Sequence, residues 1–518
     1  MAALSQAQGY LVMIVFAVFM IAVTLISSRK SVWTSTQEGF LYAGRSVGTV
    51  MAAFSIAASW IWAPALFVSV QKAYELGLPG IFWFTAPNVL AVVIFAFIGP
   101  AIRSRVPGGF SVPDWIRYRF SDEGEAYASL AHKLYLIPYI WYQVMAVTVQ
   151  IFVGGMILNF FTAIPLVAGM VFVLAIVLSY SLIAGLRASI VTDFVHLIFI
   201  LGIIGIVVPW AWFAAGPDSV MRGLGGIAGN VNIFDPKIAF SFGIVTSIGL
   251  IAGSIADQQF WQRVFAIKRE NLVPSFVLGG LLFGIVPIVV SVLGFIAADP
   301  QQGISMPAGT GLPMIGVATV LKLLPLWVCT LFVFMLLCGL SSALDSGFAA
   351  IASLYAVDLR TRSSDETIVL NKTRLGEALS EREKAIAAQQ DPTVVRAARF
   401  SMVVLAFAGL MVAFFVRDVF PLDRLWWIFN GIASIFVVPT VLSIYWDRLS
   451  AKGVIIGIIA SLIAMIAFIY GNYVQDDVIV VFGALAIVGV NLLSCFIFSR
   501  KVPWTHPKLN ATKDYNTV

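Results

Sequence analysis

One apolar stretch, residues 334–358, is long enough to cross a membrane and yet carries a row of polar side chains. In a helix, five of these side chains fall within an arc of roughly 140°. An acid in the middle of a membrane helix costs several kcal/mol unless it faces a partner, water or an ion. We therefore expect the row to face the protein interior, toward a cation. Its members are Ser341, Ser342, Asp345, Ser346 and Ser353.

The composition places this stretch in a polytopic membrane protein. Of the 518 residues, 60% are hydrophobic and only 11% are charged, too few charges for the surface of a soluble chain of this length. The three cysteines lie in apolar runs without disulfide or metal spacing, so we interpret them as buried hydrophobic side chains. No basic patch interleaved with aromatic residues indicates nucleic-acid binding, and the N-terminal residues lack the basic start of a cleavable signal peptide.

Apolar runs of about 20 residues predict thirteen spans. With the N-terminus outside and the C-terminus inside, 26 of the 32 Lys and Arg residues lie on the inner side, including Arg29, Lys30, Lys508 and Lys513. The expected spans are 8–28, 47–72, 79–102, 127–158, 163–184, 189–215, 238–262, 273–298, 325–358, 396–416, 422–446, 452–471 and 476–499.

One long hydrophilic loop, residues 359–395, contains the sequence EALSEREKAIAAQQ, which could form a short amphipathic helix. We interpret the loop as a cytoplasmic linker on the membrane surface. No GxxxxGK[ST] motif occurs, which argues against an ATP-driven pump.

Two spans carry the signals of a helix broken within the membrane. Pro64 removes a backbone donor from the second span and leaves the carbonyls around Ala58–Ile61 without full helical partners. Gly243, Gly249 and Gly253 make the seventh span easy to break. The two spans lie five apart and so run in opposite directions, as an inverted repeat of five helices requires. The alternative is an ordinary proline kink, with glycines that serve close packing.

Three stretches resemble signature sequences of the sodium:solute symporter family: AGLRASIVTDF at 184–194, DQQFWQRVFAIK at 257–268 and GLSSALDSGFAAIASLYAVDL at 339–359. Residues 59–83, which begin Ser-Trp-Ile-Trp-Ala-Pro, are most similar to the urea-transporting branch. The resemblance implies an all-α membrane protein with the inverted five-helix repeat of the leucine transporter, about 13 spans in all. One helix precedes and two follow the repeats, which gives segments 1–46, 47–215, 238–446 and 447–518.

The resemblance also implies a sodium site between the second and ninth spans. Its ligands would be the carbonyl groups of Ala58, Ile61 and Cys338 and the hydroxyl groups of Ser341 and Ser342. The residues support this site independently, since the two serines lie on the polar arc beside the expected break. The alternative is that both serines bond to carbonyls of their own helix.

Two acids suggest a second cation site or a proton carrier. Family members with a second sodium site use residues near Asp345 together with the acid of the Thr-Asp pair, which is Asp193 here. We hypothesise that Asp193 and Asp345 form an inner cation relay. Asp345 could instead be a buried acid neutralised by a proton or a donor, and Asp193 could cap a helix start. For Asp257 and Arg263 we favour helix-end anchoring or an inner gate ion pair.

The candidate solute ligands are Trp60, Trp62, Asn88 and Asn430. The tryptophans adjoin the expected break and could stack on a flat polar molecule, although they could also be packing or interface-belt residues. Asn88 and Asn430 are isolated amides in apolar helices, and Asn430 could serve a helix–helix contact instead. The scarcity of other charges at mid-depth favours a neutral or zwitterionic solute over a polyanion.

These features together predict a symporter rather than an enzyme. We expect sodium as the coupling ion, uptake of a small polar solute such as urea by alternating access, and a plasma (inner) membrane location. The alternatives are a proton-coupled urea-type transporter, a transporter-like solute sensor that acts with a partner, and a passive channel. The solute and the oligomeric state are not determined by the sequence.

Overall fold

The protein forms a bundle of helices in the computed structural model, which describes residues 3–28, 37–183, 186–306, 311–360, 364–388, 392–417 and 419–505. The helices are α1 (Gln6–Ser28), α2 (Gln37–Tyr42), α3 (Thr49–Trp60), α4 (Ser69–Leu76), α5 (Leu78–Val93), α6 (Phe95–Arg105), α7 (Val112–Arg119), α8 (Glu125–Thr162), α9 (Leu166–Ser181), α10 (Leu186–Ala215), α11 (Pro217–Gly223), α12 (Pro236–Ile238), α13 (Ile244–Ala256), α14 (Gln258–Ala266), α15 (Leu272–Ala298), α16 (Ile315–Leu323), α17 (Leu326–Leu354), α18 (Ser364–Leu375), α19 (Glu381–Ala388), α20 (Pro392–Val416), α21 (Leu422–Tyr445), α22 (Ala451–Val474) and α23 (Asp477–Ile497).

The all-α fold class is confirmed, but the count of thirteen spans stays a prediction. Eleven helices in the described part of the chain are long and apolar enough to cross a membrane, and the bent pair α3–α4 makes a twelfth. The predicted span 163–184 corresponds to α9, whose 16 residues fall short of the length a span needs. The orientation also stays a prediction, and Arg29, Lys30, Lys508 and Lys513 lie outside the described residues.

The second span is broken where the sequence predicts. α3 ends at Trp60, and the chain resumes at a π-helical turn, Pro64–Val68, bent by 73° from α3. The N–H of Trp62 bonds to the carbonyl of Trp60 (2.9 Å), and the N–H of Ala65 bonds to the carbonyl of Trp62 (2.9 Å). In a continuous helix these donors would bind Ala58 and Ile61. The break therefore removes the regular helical donor from each of these two carbonyls, while the Ala58 carbonyl still accepts the N–H of Ile61 (3.2 Å).

The seventh span is also broken, but at a different residue from the predicted glycines. α13 ends at Ala256, and Asp257 has extended backbone (φ −92°, ψ 112°) before α14 begins. Gly243 packs closely against the Trp83 ring. Gly249 packs against Asn430, and a Cβ atom on this glycine would approach the Asn430 side chain to 2.8 Å. The glycines thus allow close packing of α13, while an aspartate that caps the second half-helix marks the break.

The outer helices present apolar side chains on the surface, as a protein surrounded by lipid requires. Phe213, Phe415 and Ile463 are examples, with exposed fractions of 78%, 70% and 68%. The hydrophilic loop contains two short helices, α18 and α19, and α19 falls within the predicted amphipathic stretch. Arg374 at the end of α18 donates to Asp114 at the start of α7 (2.9 and 2.5 Å), so this loop packs against the rest of the protein.

Candidate functional site: a cation and solute site at two broken helices

The five predicted sodium ligands all lie in the buried interior, where α17 crosses the break after α3. Gly339, between Cys338 and the serine pair, packs against the break: a Cβ atom on it would lie 3.6 Å from the Ile61 side chain. The Ser341 hydroxyl is fully buried and has no hydrogen-bond partner among the described residues. Ser342 Oγ donates to Asp193 Oδ1 (2.5 Å). The alternative that both serines bond to carbonyls of their own helix is therefore wrong.

This set of groups fits sodium chemically, since a hard cation prefers oxygen ligands. The break supplies backbone carbonyls outside the helical pattern, and α17 supplies a buried hydroxyl, Ser341, that lacks a donor or an acceptor of its own in the described part of the chain. Ser342 adds a second hydroxyl, whose proton is already directed at the Asp193 carboxylate. A cation between these oxygens would give the Ser341 hydroxyl the partner that it lacks among the described residues.

Asp193 lies eight residues into α10 and forms a buried ion pair with Arg263 of α14. Arg263 Nη2 lies 2.8 Å from Asp193 Oδ2, and both side chains are at most 1% exposed. Ser55 also donates to this carboxylate (2.7 Å). The helix-capping alternative for Asp193 is wrong because the residue is well past the first turn of α10. Any cation that binds Asp193 must share it with the Arg263 guanidinium.

Arg263 connects this pair to two further helices. Its guanidinium donates to Ser55 of α3 (3.0 Å), to Ser346 of α17 (2.9 Å) and to the Gln259 carbonyl of its own helix (2.9 Å). Ser59 in turn lies 3.0 Å from Ser346. Sequence reasoning missed Ser55 and Ser59, although their spacing of four residues places them on one face of the second span, beside the break.

Asp345 lies one turn beyond Ser341. Among the described residues, its carboxylate accepts hydrogen bonds only from hydroxyl groups. Ser181 Oγ donates to it (2.6 Å), and Thr192 Oγ1 lies 3.4 Å away. Asp193 and Asp345 therefore occupy the same region without a direct contact, and they differ in character: one carboxylate is paired with arginine, the other is held by neutral donors. The hypothesis of a relay between them stays a prediction.

The side chain of Asp257 caps the start of α14. Its Oδ1 atom accepts the N–H of Gln259 (2.9 Å) and the amide of Gln143 (3.0 Å). Arg263 forms its ion pair with Asp193 rather than with Asp257. Asp257 thus lies at a helix end, and Arg263 belongs to the polar cluster around Asp193.

Trp60, Trp62 and Asn88 line one small cavity of about 10 Å³ beside the break. The two tryptophan rings lie 5.8 Å apart, and the Trp62 ring lies 5.4 Å from that of Tyr142. Both tryptophans are about 95% buried in the bundle, so the interface-belt alternative is wrong. The rest of the lining is Pro64, Ala65, Phe84, Tyr142, Leu250 and Trp426.

Asn430 is not among the residues that line this cavity. It packs against Gly249 and Gly253 of α13, which favours the helix–helix role that the sequence left open. Sequence reasoning missed Tyr142 and Trp426, which lie in spans with several other aromatic residues and carry no distinguishing local signal. Trp60 Nε1 has no hydrogen-bond partner among the described residues and is a free donor at the cavity.

A larger cavity of about 690 Å³ opens at the end of the bundle where α8 ends and α21 begins. Asp423, at its edge, forms an ion pair with Lys72 of α4 (3.0 Å), and Lys72 also pairs with Glu75 (2.7 Å). The charge bias of the sequence predicts that this end faces outward.

The fold matches that of a solved membrane protein, and a sequence profile identifies the family. The solved structure of a Na⁺-coupled sialic acid symporter, in a substrate-bound outward-open state, has a TM-score of 0.67 to this protein at 17% identity, and the match covers 96% of this chain and 99% of that one. The sequence profile of the sodium:solute symporter family matches residues 40–461. The chain therefore belongs to the sodium:solute symporter family, which confirms the resemblance that the three sequence stretches indicated.

Curated relatives agree with this membership. The chain is 24% identical over 315 residues to the probable urea active transporter 1 of Schizosaccharomyces pombe, a match that covers 57% of this chain and 46% of that protein. It is 23% identical over 393 residues to a urea-proton symporter of rice, Oryza sativa subsp. japonica (69% and 53%). It is 21% identical over 467 residues to the sodium/pantothenate symporter of Escherichia coli (86% and 88%).

The chain spans about half the length of these urea transporters. The family and the relatives named here are transporters and not enzymes. Their names include both sodium and proton coupling, and both urea and pantothenate as solutes, so family membership leaves the ion and the solute of this chain open.

Proposed function

We propose that the protein is a sodium-coupled secondary active symporter that imports a small polar organic solute, neutral or zwitterionic, by alternating access. Urea is the first solute to test, because urea transporters are among the relatives. We place the protein in the plasma (inner) membrane with its N-terminus outside, from the distribution of Lys and Arg residues.

The observation that carries this proposal is the buried Ser341 hydroxyl without a partner in the described residues, next to a broken helix. Leaving a buried hydroxyl unsatisfied costs about 1–3 kcal/mol, which favours a ligand at this position. Carbonyl oxygens of Ala58, Ile61 and Cys338 and the Ser342 hydroxyl complete the proposed set of sodium ligands.

Coupling follows from the position of this site. Sodium bound there would join α3 to α17 and fix the break, and Trp60 and Trp62 lie directly at that break. The ion therefore orders the wall of the solute cavity. The ion can shift the conformational equilibrium only by its difference in affinity for the two states. On the inner side, Asp193 offers sodium a next ligand once the Arg263 guanidinium moves aside.

Proton coupling is the second candidate, and Asp345 favours it. This carboxylate is 3% exposed, and within the described residues it pairs with hydroxyl groups and no cation. It could bind a proton without competition from an arginine. The urea-proton symporter among the relatives supports this alternative for the same fold.

Transport in proteoliposomes tests the proposal. An inward sodium gradient is expected to accumulate radiolabelled urea above its equilibrium level, whereas an equal potassium gradient is expected to give none. Accumulation that follows an inward pH gradient and is lost in Asp345→Asn would favour proton coupling. Equilibration without accumulation would indicate a channel, and solute binding without flux would indicate a sensor. The same gradients are then applied to amino acids, sugars and carboxylates.

A further inference from the structure

A cleft of about 500 Å³ opens on the lipid-facing surface of the bundle, between the end of α9 and the start of α20. We call it the α9–α20 cleft. Leu182 and Ile183, which directly follow α9, form one wall, and the first turns of α20 form the other. The described residues that line the cleft include two arginines and no acid. Those of α20 are Arg396, Arg399, Phe400 and Val403.

The two arginines have no counter-charge in the described part of the chain. Both side chains are exposed, and neither forms an ion pair or a hydrogen bond with a described residue. Arg374, in the hydrophilic loop before α20, by contrast pairs with Asp114. Two like charges one helical turn apart repel each other, so an anion that binds both Arg396 and Arg399 would relieve the repulsion.

The polarity of α20 changes along one face of the helix. Five side chains share an arc of about 100° on this face. They are Arg396, Arg399, Phe400, Val403 and Phe407. The rings of Phe400 and Phe407 are 67% and 63% exposed. The face therefore begins with two positive charges and continues as an apolar surface, over about 16 Å from Arg396 to Phe407. A phospholipid has the same order, a charged headgroup followed by apolar acyl chains.

The arginines lie at the depth expected of a lipid headgroup. The apolar span of α20 begins at Val394, so Arg396 and Arg399 lie in its first two turns. The distribution of Lys and Arg residues predicts that this end of α20 is on the inner side. A guanidinium group binds phosphate through two parallel N–H donors, and basic pockets between membrane helices on the cytoplasmic side bind anionic headgroups.

A general excess of basic residues on the inner side does not account for this arrangement. Lys268 and Arg269, between α14 and α15, are also exposed and are expected on the inner side, but they do not line the cleft. Arg396 and Arg399 differ from them because an apolar groove adjoins both charges. Ile183, which forms the opposite wall of this groove, is 41% exposed.

We propose that the α9–α20 cleft binds one anionic phospholipid of the inner leaflet. The phosphate group of the lipid binds Arg396 and Arg399, and an acyl chain lies along Phe400 and Val403 against Ile183. A zwitterionic phospholipid is disfavoured because its choline or ethanolamine cation opposes the two arginines. The inference goes beyond the proposed function, since it depends on neither the solute nor the coupling ion.

Quenching of a local fluorophore by brominated lipids tests the inference in proteoliposomes of the full-length protein. The fluorophore is attached to Ser179→Cys, an exposed position one turn before Ile183, and the three native cysteines are buried. Brominated phosphatidylglycerol is compared with brominated phosphatidylcholine at equal mole fraction. We expect this reporter protein to prefer phosphatidylglycerol by about ten-fold or more, since each arginine near the surface contributes roughly five-fold. In the arginine variant, Arg396→Gln with Arg399→Gln, the preference should fall to about two-fold or less. The control, Lys268→Gln with Arg269→Gln, should keep it.

Each result decides the inference. Equal quenching by the two lipids, or an unchanged preference in the arginine variant, would overturn it. An equal loss of preference in the control would also overturn it, because the effect would then come from general surface charge. Sodium phosphate is compared with sodium chloride at equal ionic strength, and displacement of the brominated lipid by phosphate alone would replace the lipid site with a free-phosphate site. The lipid comparison in the reporter protein stands even where a variant does not fold.

Discussion

At the scale of single residues, the interior combines groups that are satisfied by the protein with groups that are not. Asp193 has Arg263, Ser55 and Ser342 as partners, whereas Ser341 has none among the described residues. A buried ion pair offers little net stabilisation, but removing one partner leaves an uncompensated charge. The stability of the fold and the proposed binding of a cation therefore depend on different members of one cluster.

Arg263→Gln should destabilise the protein strongly, by about 3–5 kcal/mol, because it leaves the Asp193 carboxylate buried without its cation. The double variant Arg263→Gln with Asp193→Asn should recover part of this loss. Thermal unfolding in detergent measures both. Arg382→Gln, which breaks the exposed pair with Asp365, is the control and should change stability by about 0–1 kcal/mol. Equal losses in the control and in Arg263→Gln would contradict the assigned role of the buried pair.

Asp345→Asn tests the second carboxylate. If Asp345 holds a second cation, the variant should reduce the number of sodium ions transported per solute, because a neutral amide attracts a cation less strongly than a carboxylate does. Reversal-potential measurements in proteoliposomes give this ratio. An unchanged ratio in the variant would remove the relay between Asp193 and Asp345. Ser353→Ala, on the same helix, is the matched control.

At the scale of elements, the two broken spans position the whole site. The Pro64 break supplies the carbonyl groups and the tryptophans, and the helix that follows the Asp257 break supplies Arg263. The first break follows from a local signal, since proline cannot complete the helical pattern. The position of the second break could not be predicted from the glycines of the seventh span. These glycines pack against Asn430 and Trp83, and such contacts depend on residues distant in sequence.

The ion pair between Lys72 of α4 and Asp423 of α21 bridges two helices at the end predicted to be outer. We expect Lys72→Gln to favour opening at this end, since an ion pair of this kind contributes about 1 kcal/mol, or roughly five-fold in population. A cysteine reporter, Ala65→Cys, lies in the tryptophan-lined cavity. In the Lys72→Gln background it should react faster with a membrane-impermeant thiol reagent applied from outside than in the wild-type background. Arg424→Gln, which breaks a pair with Asp477 on α23, is the control. Equal labelling rates of Ala65→Cys with and without Lys72→Gln would contradict a gating role of the pair between Lys72 and Asp423.

The ion pair between Arg222 and Asp299, outside the membrane spans, predicts that stability depends on pH. Two hydrogen bonds from Arg222 hold the pKa of Asp299 well below its usual range (2.8 and 3.1 Å). A lowered folded-state pKa adds stability above the unfolded value, about 3.9, and this stability is lost as the pH falls toward the folded value. Asp299→Asn should therefore melt at a lower temperature than the wild type at pH 7. The difference should shrink below about pH 4; a difference that grows there would contradict the assignment.

At the scale of the whole molecule, sequence reasoning recovers the class and family because they rest on long-range regularities. Span lengths, the buried polar row and the three signature stretches all survive small errors at helix ends. The partners of Asp193 and Arg263 were not predictable, because these residues are 70 positions apart and meet only when α10 and α14 pack. The cavity lining contributed by Tyr142 and Trp426 depends on tertiary packing in the same way.

The central claim is that sodium binds between the α3 break and the Ser341–Ser342 pair. A sodium titration of solute binding to the purified protein compares Ser341→Ala with Ser291→Ala, a buried serine of α15 that bonds to its own helix. Losing one oxygen ligand should weaken the apparent sodium affinity by about ten-fold or more in Ser341→Ala. The Ser291→Ala variant should stay close to the wild type. The same sodium affinity in Ser341→Ala as in Ser291→Ala would contradict the site.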